Sequence, residues 1–171
     1  SAAPDPNTTL EEHQDWHVLR RVGGLGLAHA GAGEQWLGIY DMKSPQRQTS
    51  LQRLVEQGKL LAVKVEGLER HTFYLRQADT GLLEGLDAPV SEPQMAFIAP
   101  LDNLLWHRDK LRWLFNFDYI WEVYKVPEQR KYGYYVLPVL YGERFIARLD
   151  PAMERKAKRF TLRNWWWEEG F

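Results

Sequence analysis

The spacing of apolar residues in the first part of the chain predicts three helices. Thr9 and Glu12 have the spacing of a capping box, and a partial apolar stripe follows them until two glycines end it at residue 23. A second helix is predicted over residues 33–41. A third is predicted over residues 45–57, with Ser44 as its N-cap and a glycine as its C-terminal stop.

A β-hairpin is predicted directly after the third helix. Residues 60–65 and 71–76 are strand-like runs separated by a turn. Three helices followed by a hairpin is the order of a winged helix-turn-helix, in which the third helix usually enters the major groove. The outward face of that helix carries side chains that suit base edges and phosphates, although Glu56 on the same face would repel phosphate. Because many winged helices bind proteins instead, both interpretations of this helix stay open. The candidate DNA-contacting side chains are Gln46, Thr49 and Arg53.

The second half of the chain predicts a helix followed by an antiparallel sheet. Helix-favouring residues span 101–115. Residues 132–140 are apolar on both faces of the predicted strand, so we expect other parts of the protein to cover both faces. A tight turn is predicted at 140–144, and a longer connection with a short helical turn at 150–154. The predicted strands are 118–125, 132–141, 143–149 and 158–167.

Arginines occupy alternate positions in the last two predicted strands. Arg144 and Arg148 share one face of their strand, and Arg159 and Arg163 share one face of the next. If the two strands pair, four arginines line one sheet surface and can straddle a phosphate backbone.

Charge is distributed unevenly along the chain. The formal net charge of the 171 residues is −1, but residues 1–100 hold 9 basic and 13 acidic residues, whereas residues 125–163 hold 10 basic and 4 acidic. A basic segment in a neutral chain suggests a surface that faces a polyanion, and a solvated sheet face is the alternative.

Composition and motif spacing argue against several classes of protein. Hydrophobic residues make up 44% of the chain, yet no apolar run approaches the ~20 residues of a membrane span. Cysteine is absent, which excludes disulfides and thiol chemistry and fits a cytoplasmic location. His13 and His17 have the spacing of a zinc helix, but Gln14 stands where a metalloprotease needs glutamate. The glycines at 23–26 have neither dinucleotide-binding nor P-loop spacing, so we expect no metal and no cofactor.

One tract is specific enough to indicate a family. Residues 111–127 lead into R-x-Y-G-Y-Y-V-L-P-V-L at 130–140, and Gly142, Arg148 and Asp150 continue the pattern. The chain resembles the C-terminal portion of the bacterial winged-helix interstrand-crosslink DNA glycosylases of the AlkZ/YcaQ-like type. The resemblance is strong over residues 95–163 and fair over residues 10–76.

This resemblance implies tandem winged helices and a β-rich C-terminal unit around a basic DNA channel. It also implies hydrolysis of an N-glycosidic bond without a metal or cofactor. The family's catalytic motif, Gln-aliphatic-Gln or Gln-aliphatic-Asp, lies in its first winged helix. We therefore expect this chain to lack the catalytic residues and the N-terminal winged-helix domains. Gln46 and Gln48 spell Q-x-Q here, but Arg47 stands where an aliphatic residue belongs, so we interpret this match as coincidence.

Together these patterns predict an α+β protein, with a linker or disordered segment at 1–8, a winged-helix domain at 9–88 and a mostly antiparallel β-rich domain with a helix at 89–171. The predicted function is that of a DNA-binding C-terminal fragment of a repair glycosylase, with double-stranded and possibly damaged DNA as partner. The alternative is a winged-helix transcription regulator or a protein-interaction scaffold without catalysis. The predicted DNA-binding residues are Gln46, Thr49, Arg53, Arg130, Lys131, Tyr132, Arg144, Arg148, Arg159 and Arg163.

Overall fold

Helices and antiparallel sheets occur in both of the units into which the chain divides, residues 1–88 and residues 89–171. The structure, a computed structural model, describes residues 7–31, 33–85 and 92–171. The mixed α and antiparallel β content confirms the predicted α+β class. Within the described ranges, no helix combines the length and the apolar character that a bilayer crossing requires. The predicted linker at 1–8 lies mostly outside the described residues.

The first helix, α1, spans Leu10–Leu25 and begins with the predicted capping box. Thr9 Oγ1 accepts a hydrogen bond from the Glu12 backbone N–H, and the Glu12 carboxylate accepts one from the Thr9 N–H, each at 3.1 Å. The helix continues through Gly23 and ends at Gly26, which has φ 66°. Gly23 is not a stop, because the helix continues to Leu25, and the Arg76 guanidinium lies close enough that a Cβ at residue 23 would be 2.5 Å from it.

The second helix, α2, spans Ser44–Glu56, and Gly58 follows with φ 68°, as predicted to within a residue. The helix predicted over residues 33–41 is wrong, because only a 3₁₀ turn forms at Glu34–Trp36. Trp36 is buried and its indole N–H donates to the His29 carbonyl, whereas Leu37 and Tyr40 are exposed. The segment is held by the buried side chains of Gln35, Trp36 and Ile39, and the predicted spacing of Trp36, Leu37 and Tyr40 does not match the residues that are buried.

The first unit also contains a small antiparallel sheet. Its strands are β1 at Ala28–His29, β2 at Leu60–Val63 and β3 at Phe73–Arg76, in the order β1-β3-β2. The hairpin predicted over 60–76 is confirmed by the pairing of β2 with β3. The two-residue strand β1 was missed, since so short a strand has no apolar periodicity of its own. Helices and sheet enclose a core that includes Val18, Val22, Leu51, Leu54 and Leu60.

The helix predicted over 101–115 is divided in two in the second unit. A 3₁₀ turn at Asn103–Leu105 precedes α3, which spans Arg108–Phe115. His107 separates them, because its backbone is extended and its Nδ1 accepts a hydrogen bond from the Lys110 N–H at 2.9 Å. An N-cap histidine thus starts a new helix where the sequence suggested a continuous one.

The second unit contains a four-stranded antiparallel sheet whose strands pair in chain order: β4 at Met95–Phe97, β5 at Leu137–Tyr141, β6 at Arg144–Glu154 and β7 at Arg159–Trp167. The antiparallel sheet and the turn at Gly142 were both predicted from the sequence. Three details of the prediction are wrong. Residues 118–136 form no strand, but contain 3₁₀ turns at Glu122–Tyr124 and Pro127–Gln129. Residues 150–154 continue a strand instead of forming a helical connection. A further strand, β4, was missed.

Candidate functional site

The four arginines predicted to line one sheet face do not share a face. Val139 pairs with Ala147 but Leu140 pairs with Phe145, so β6 carries one extra residue at this point. Such a bulge interrupts the alternation of side chains along the strand. Phe145 stacks on Phe117 with ring centroids 4.2 Å apart, and the Arg148 guanidinium lies 4.4 Å from the same ring. Arg148 is therefore on the side of Phe145, and Arg144, the neighbour of Phe145, is on the opposite side.

Arg148 is a buried residue with only 5% of its surface exposed. Its Nε donates to Glu168 Oε1 at 2.6 Å, and its Nη2 donates to the Asp118 carbonyl oxygen at 2.6 Å. Its guanidinium also lies 4.5 Å from the centre of the Tyr132 ring. Because both its charge and its donors are used within the protein, its role here is to join β6 to the segment before β5 and to the residue after β7.

Glu122 holds the loop that carries three of the predicted site residues. Its carboxylate accepts hydrogen bonds from the backbone N–H groups of Lys131, Tyr132 and Gly133 at 3.0, 2.8 and 3.3 Å, and from Lys125 Nζ at 2.8 Å. Burial by itself raises the pKa of Glu122, but these four hydrogen bonds outweigh it and lower that pKa to about 2. No local sequence pattern marks this glutamate as buried, and its role was missed.

The predicted residues Arg130, Lys131 and Tyr132 lie in this loop. Arg130 Nε donates to the Lys125 carbonyl oxygen at 2.9 Å, and the Lys131 ammonium lies 4.9 Å from the centre of the Tyr132 ring. Tyr132 also packs edge-on against Trp166. Beside the loop is a cleft of about 170 Å³, so the structure brings Lys131, Tyr132 and the buried Arg148 together. The cleft is lined by Asp118, Ile120, Glu122, Lys125, Lys131, Tyr132 and Arg148.

The end of the β6–β7 hairpin is an exposed basic surface. Arg159 donates to the carboxylate of its cross-strand partner Glu154 at 2.7 Å, and both are exposed. Arg163 is exposed too. Asp150 pairs with Asn164 and Pro151 pairs with Leu162, so Arg163 is an extra residue of β7 at a second register shift. Residues 154–163 contain five basic residues and one acidic residue, and all of them are exposed. The three basic residues that the sequence-based prediction omitted are Arg155, Lys156 and Lys158.

On α2, the residues predicted to contact DNA differ in their environments. Thr49 is exposed and Gln46 is half-buried. Arg53 donates to both carboxylate oxygens of Asp15 at 2.7 and 2.8 Å, and also pairs with Glu11 at 3.1 Å. The Asp15 carboxylate raises the pKa of this arginine, which is thus held in an ion pair between α1 and α2.

The two glutamines of the Q-x-Q sequence on α2 project in different directions. Arg47, its middle residue, is buried, and its Nε donates to the Ala30 carbonyl oxygen at 2.7 Å. Residues two apart on a helix point about 200° from each other, so Gln46 and Gln48 do not face one common water. The interpretation of this match as coincidence agrees with that geometry.

Comparison with known proteins identifies the family. The family described as DNA glycosylase AlkZ-like matches residues 1–170 of the chain, which covers both units and every element described above. No solved structure matches the chain. The chain therefore belongs to the AlkZ-like DNA glycosylase family, and its function is that of a DNA-repair glycosylase-like protein.

Proposed function

We propose that this chain is the DNA-binding C-terminal part of a repair glycosylase and that it contacts double-stranded, damaged DNA mainly through the end of the β6–β7 hairpin. The observation that carries the proposal is the exposed cluster of five basic residues against one acidic residue over residues 154–163. Membership of a DNA glycosylase family supports DNA as the substrate. A cytoplasmic location, with which the lack of cysteine is compatible, is part of the same proposal.

The hairpin suits a phosphate backbone for electrostatic reasons. Arg159 is partly neutralised by Glu154, but four further basic side chains extend from the same short ribbon. Along a strand, Arg159 and Arg163 are ~13 Å apart, which is about two phosphate steps of one DNA strand. Neutralising about four phosphates predicts that the logarithm of affinity falls with the logarithm of salt concentration with a slope of about −3 to −4.

The proposal also includes a winged helix in the first unit. The order α1, β1, 3₁₀ turn, α2, β2, β3 and the sheet order β1-β3-β2 support it, with the 3₁₀ turn in the place of the second helix. In this proposal α2 is the third helix and residues 64–72 are the wing. The predicted DNA-facing side of α2, however, offers no unpaired positive charge at Arg53, because this arginine is paired with Asp15 and Glu11. Glu56, on the same predicted face, adds a negative charge.

The acidic side of the first unit favours a second candidate function, that of a protein-interaction module. A cleft of about 470 Å³ lies beside α1, with Glu11, Glu12 and Asp15 at its border and Trp16 and Leu54 among its apolar lining residues. Acidic and apolar side chains together suit a basic protein segment and repel DNA. Under this candidate the first unit contacts protein while the second contacts DNA.

We further propose that base excision depends on winged-helix domains that precede this sequence in the full-length protein. The family resemblance supports this assignment, as does the divergent orientation of Gln46 and Gln48 around the buried Arg47. In the chain itself, DNA contact is then a binding and positioning role.

Charge reversal at the hairpin tests the proposed DNA contact. The double variant Lys156→Glu and Lys158→Glu is expected to lower the affinity for a 20-base-pair duplex at least tenfold and to reduce the salt slope by about 2, because two phosphate contacts are lost. Fluorescence anisotropy of a labelled duplex between 50 and 200 mM salt measures both quantities.

The matched control is Lys43→Glu with Lys59→Glu, which makes the same change in net charge on exposed lysines of the first unit. We expect a smaller loss of affinity from this control. An equal loss in both double variants would show that the hairpin is only a solvated surface. A loss confined to the control would move the contact to the first unit.

A further inference from the structure

An aromatic cluster is exposed on the loop between α3 and β5. Trp121 lies edge-on to Tyr124, with ring centroids 6.0 Å apart, and edge-on to Tyr135, with centroids 6.3 Å apart. Tyr124 is 91% exposed and Tyr135 is 43% exposed. A tyrosine with almost its whole ring in water contributes little to packing, and its ring is open to a ligand.

The loop holds these rings in place before any ligand binds. Trp121 packs against the apolar cluster that contains Phe117 and Tyr119. Glu122 lies between Trp121 and Tyr124 in the chain, and its carboxylate is held by Lys125 and three backbone N–H groups. Because the backbone beneath Tyr124 is fixed in this way, a ligand that stacks on its ring loses little affinity to ordering of the loop.

The net charge around the cluster is slightly positive. Residues 121–136 contain three basic residues and two acidic residues, Glu122 and Glu128, and Glu122 is paired with Lys125 at 2.8 Å. Lys125 is next to Tyr124 in the chain, and the Arg130 guanidinium lies 5.1 Å from the centre of the Tyr134 ring. Exposed aromatic rings with cations beside them are the combination by which proteins bind unpaired nucleotides, the rings stacking on bases and the cations facing phosphates.

We propose that Tyr124, supported by Trp121 and Tyr135, is a stacking site for an unpaired base of single-stranded DNA. The inference rests on the proposed DNA binding of this unit. It adds a second site, which binds single-stranded DNA, whereas the hairpin binds duplex DNA. In duplex DNA the base faces are covered by their stacked neighbours, so a tyrosine ring face can bind only a base that is unstacked or extruded. The hairpin contacts the phosphates of the duplex, and the Tyr124 site takes an unpaired nucleotide.

Anisotropy with two forms of one oligonucleotide tests the site on the whole chain. The probes are a labelled 12-nucleotide single strand of mixed sequence and the same strand in a blunt duplex. Tyr124→Ala is expected to weaken single-strand binding about tenfold, since stacking on one base contributes ~1–3 kcal/mol. Tyr124→Phe is expected to retain the affinity, because stacking does not use the hydroxyl. Duplex affinity is expected to stay unchanged in both variants.

The matched control is Tyr141→Ala, which removes a tyrosine that is 43% exposed on β5, outside the cluster. The inference is overturned if Tyr124→Ala keeps its affinity for the single strand, or if single-strand and duplex binding fall equally. Wild-type chain that binds the single strand but not the duplex would overturn the hairpin contact and leave this site supported.

Sedimentation velocity tests the remaining alternative, a protein–protein contact at the aromatic cluster. Self-association that Tyr124→Ala abolishes, with unchanged single-strand affinity, would assign the cluster to a protein contact.

Discussion

At the residue scale, two buried charged groups determine the shape of the candidate site. Arg148 contacts the Glu168 carboxylate and the Asp118 carbonyl, and Glu122 accepts four hydrogen bonds. Breaking a buried ionic contact leaves the remaining partner without compensation, which is much more costly than losing a surface pair. Substitution of either residue therefore affects folding of the second unit before it affects any ligand.

The pH dependence of stability tests the role of Glu122. Its folded pKa of about 2 lies below the ~4.3 of an unfolded chain, so the ionised carboxylate stabilises the fold above about pH 4.5, and this contribution is lost as the pH falls towards 2. The shift corresponds to about 3 kcal/mol. Glu122→Gln is expected to lower the free energy of unfolding by about 2–3 kcal/mol at pH 7, with a difference from wild type that narrows between pH 4.5 and 2.

Urea denaturation at pH 7, 4.5 and 2.5 measures this difference. Glu128→Gln is the matched control, since Glu128 is an exposed glutamate of the same loop and its loss is expected to change stability by less than about 0.5 kcal/mol. An offset between Glu122→Gln and wild type that stays constant down to pH 2.5 would contradict the role assigned to the ionised carboxylate.

At the element scale, contacts between elements decided the roles of side chains that a single element could not. The outward direction of Arg53 on α2 predicted a DNA contact, but α1 lies beside α2 and supplies Asp15 and Glu11 to this arginine. The alternation of β6 predicted that Arg144 and Arg148 share a face, but the extra residue opposite β5 separates them. In both cases the element itself was predicted, but its contact with the neighbouring element was not.

Replacement of Arg53 separates a structural role from a DNA-binding one. Arg53→Gln is expected to lower the free energy of unfolding by about 1–3 kcal/mol, because the half-buried Asp15 loses a two-bond partner and keeps only the hydroxyl of Ser50. Duplex affinity is expected to stay within twofold of wild type. Lys43→Gln removes an exposed cation near the start of α2 and serves as the control, with little effect on stability. A tenfold loss of duplex affinity in folded Arg53→Gln would restore α2 as the DNA contact.

At the scale of the whole molecule, family membership and the divergent directions of Gln46 and Gln48 around the buried Arg47 lead to a prediction about catalysis. Excision requires a polar group that holds a water against the anomeric carbon of an extruded nucleotide. The chain alone is expected to release no base from N7-alkylated duplex DNA, whereas a version extended at its N terminus by the winged-helix domains that we propose to precede it is expected to release the base.

An excision assay that resolves the freed base and the abasic product compares the two proteins at equal concentration. Base release by the chain alone would contradict the assignment of catalysis to the preceding domains. It would then identify Gln46, Gln48, Asp118 or Glu122 as the candidates for positioning water. Ala variants of the two glutamines, with Asp118→Asn and Glu122→Gln, would distinguish among them.

The sequence by itself determined the features that depend on near neighbours in the chain. The capping box of Thr9 and Glu12, the stop at Gly58, the 60–76 hairpin and the turn at Gly142 each rest on residues a few positions apart. The family also followed from the sequence, because the tract at 130–140 is specific as a string of residues. These signals are local, so they survive without knowledge of the rest of the molecule.

Only the tertiary structure decided which charged residues are buried and which are exposed. Arg148 is paired with a residue 20 positions away, and Glu122 with backbone groups 9 to 11 positions away. The bulge that separates Arg144 from Arg148 exists because β5 and β6 pair out of step, and β6 alone does not show it. The energy of a charged side chain depends on the groups that replace its water of hydration, and here those groups come from other elements. Only the folded structure therefore distinguishes the exposed basic residues at the hairpin end from the buried Arg148.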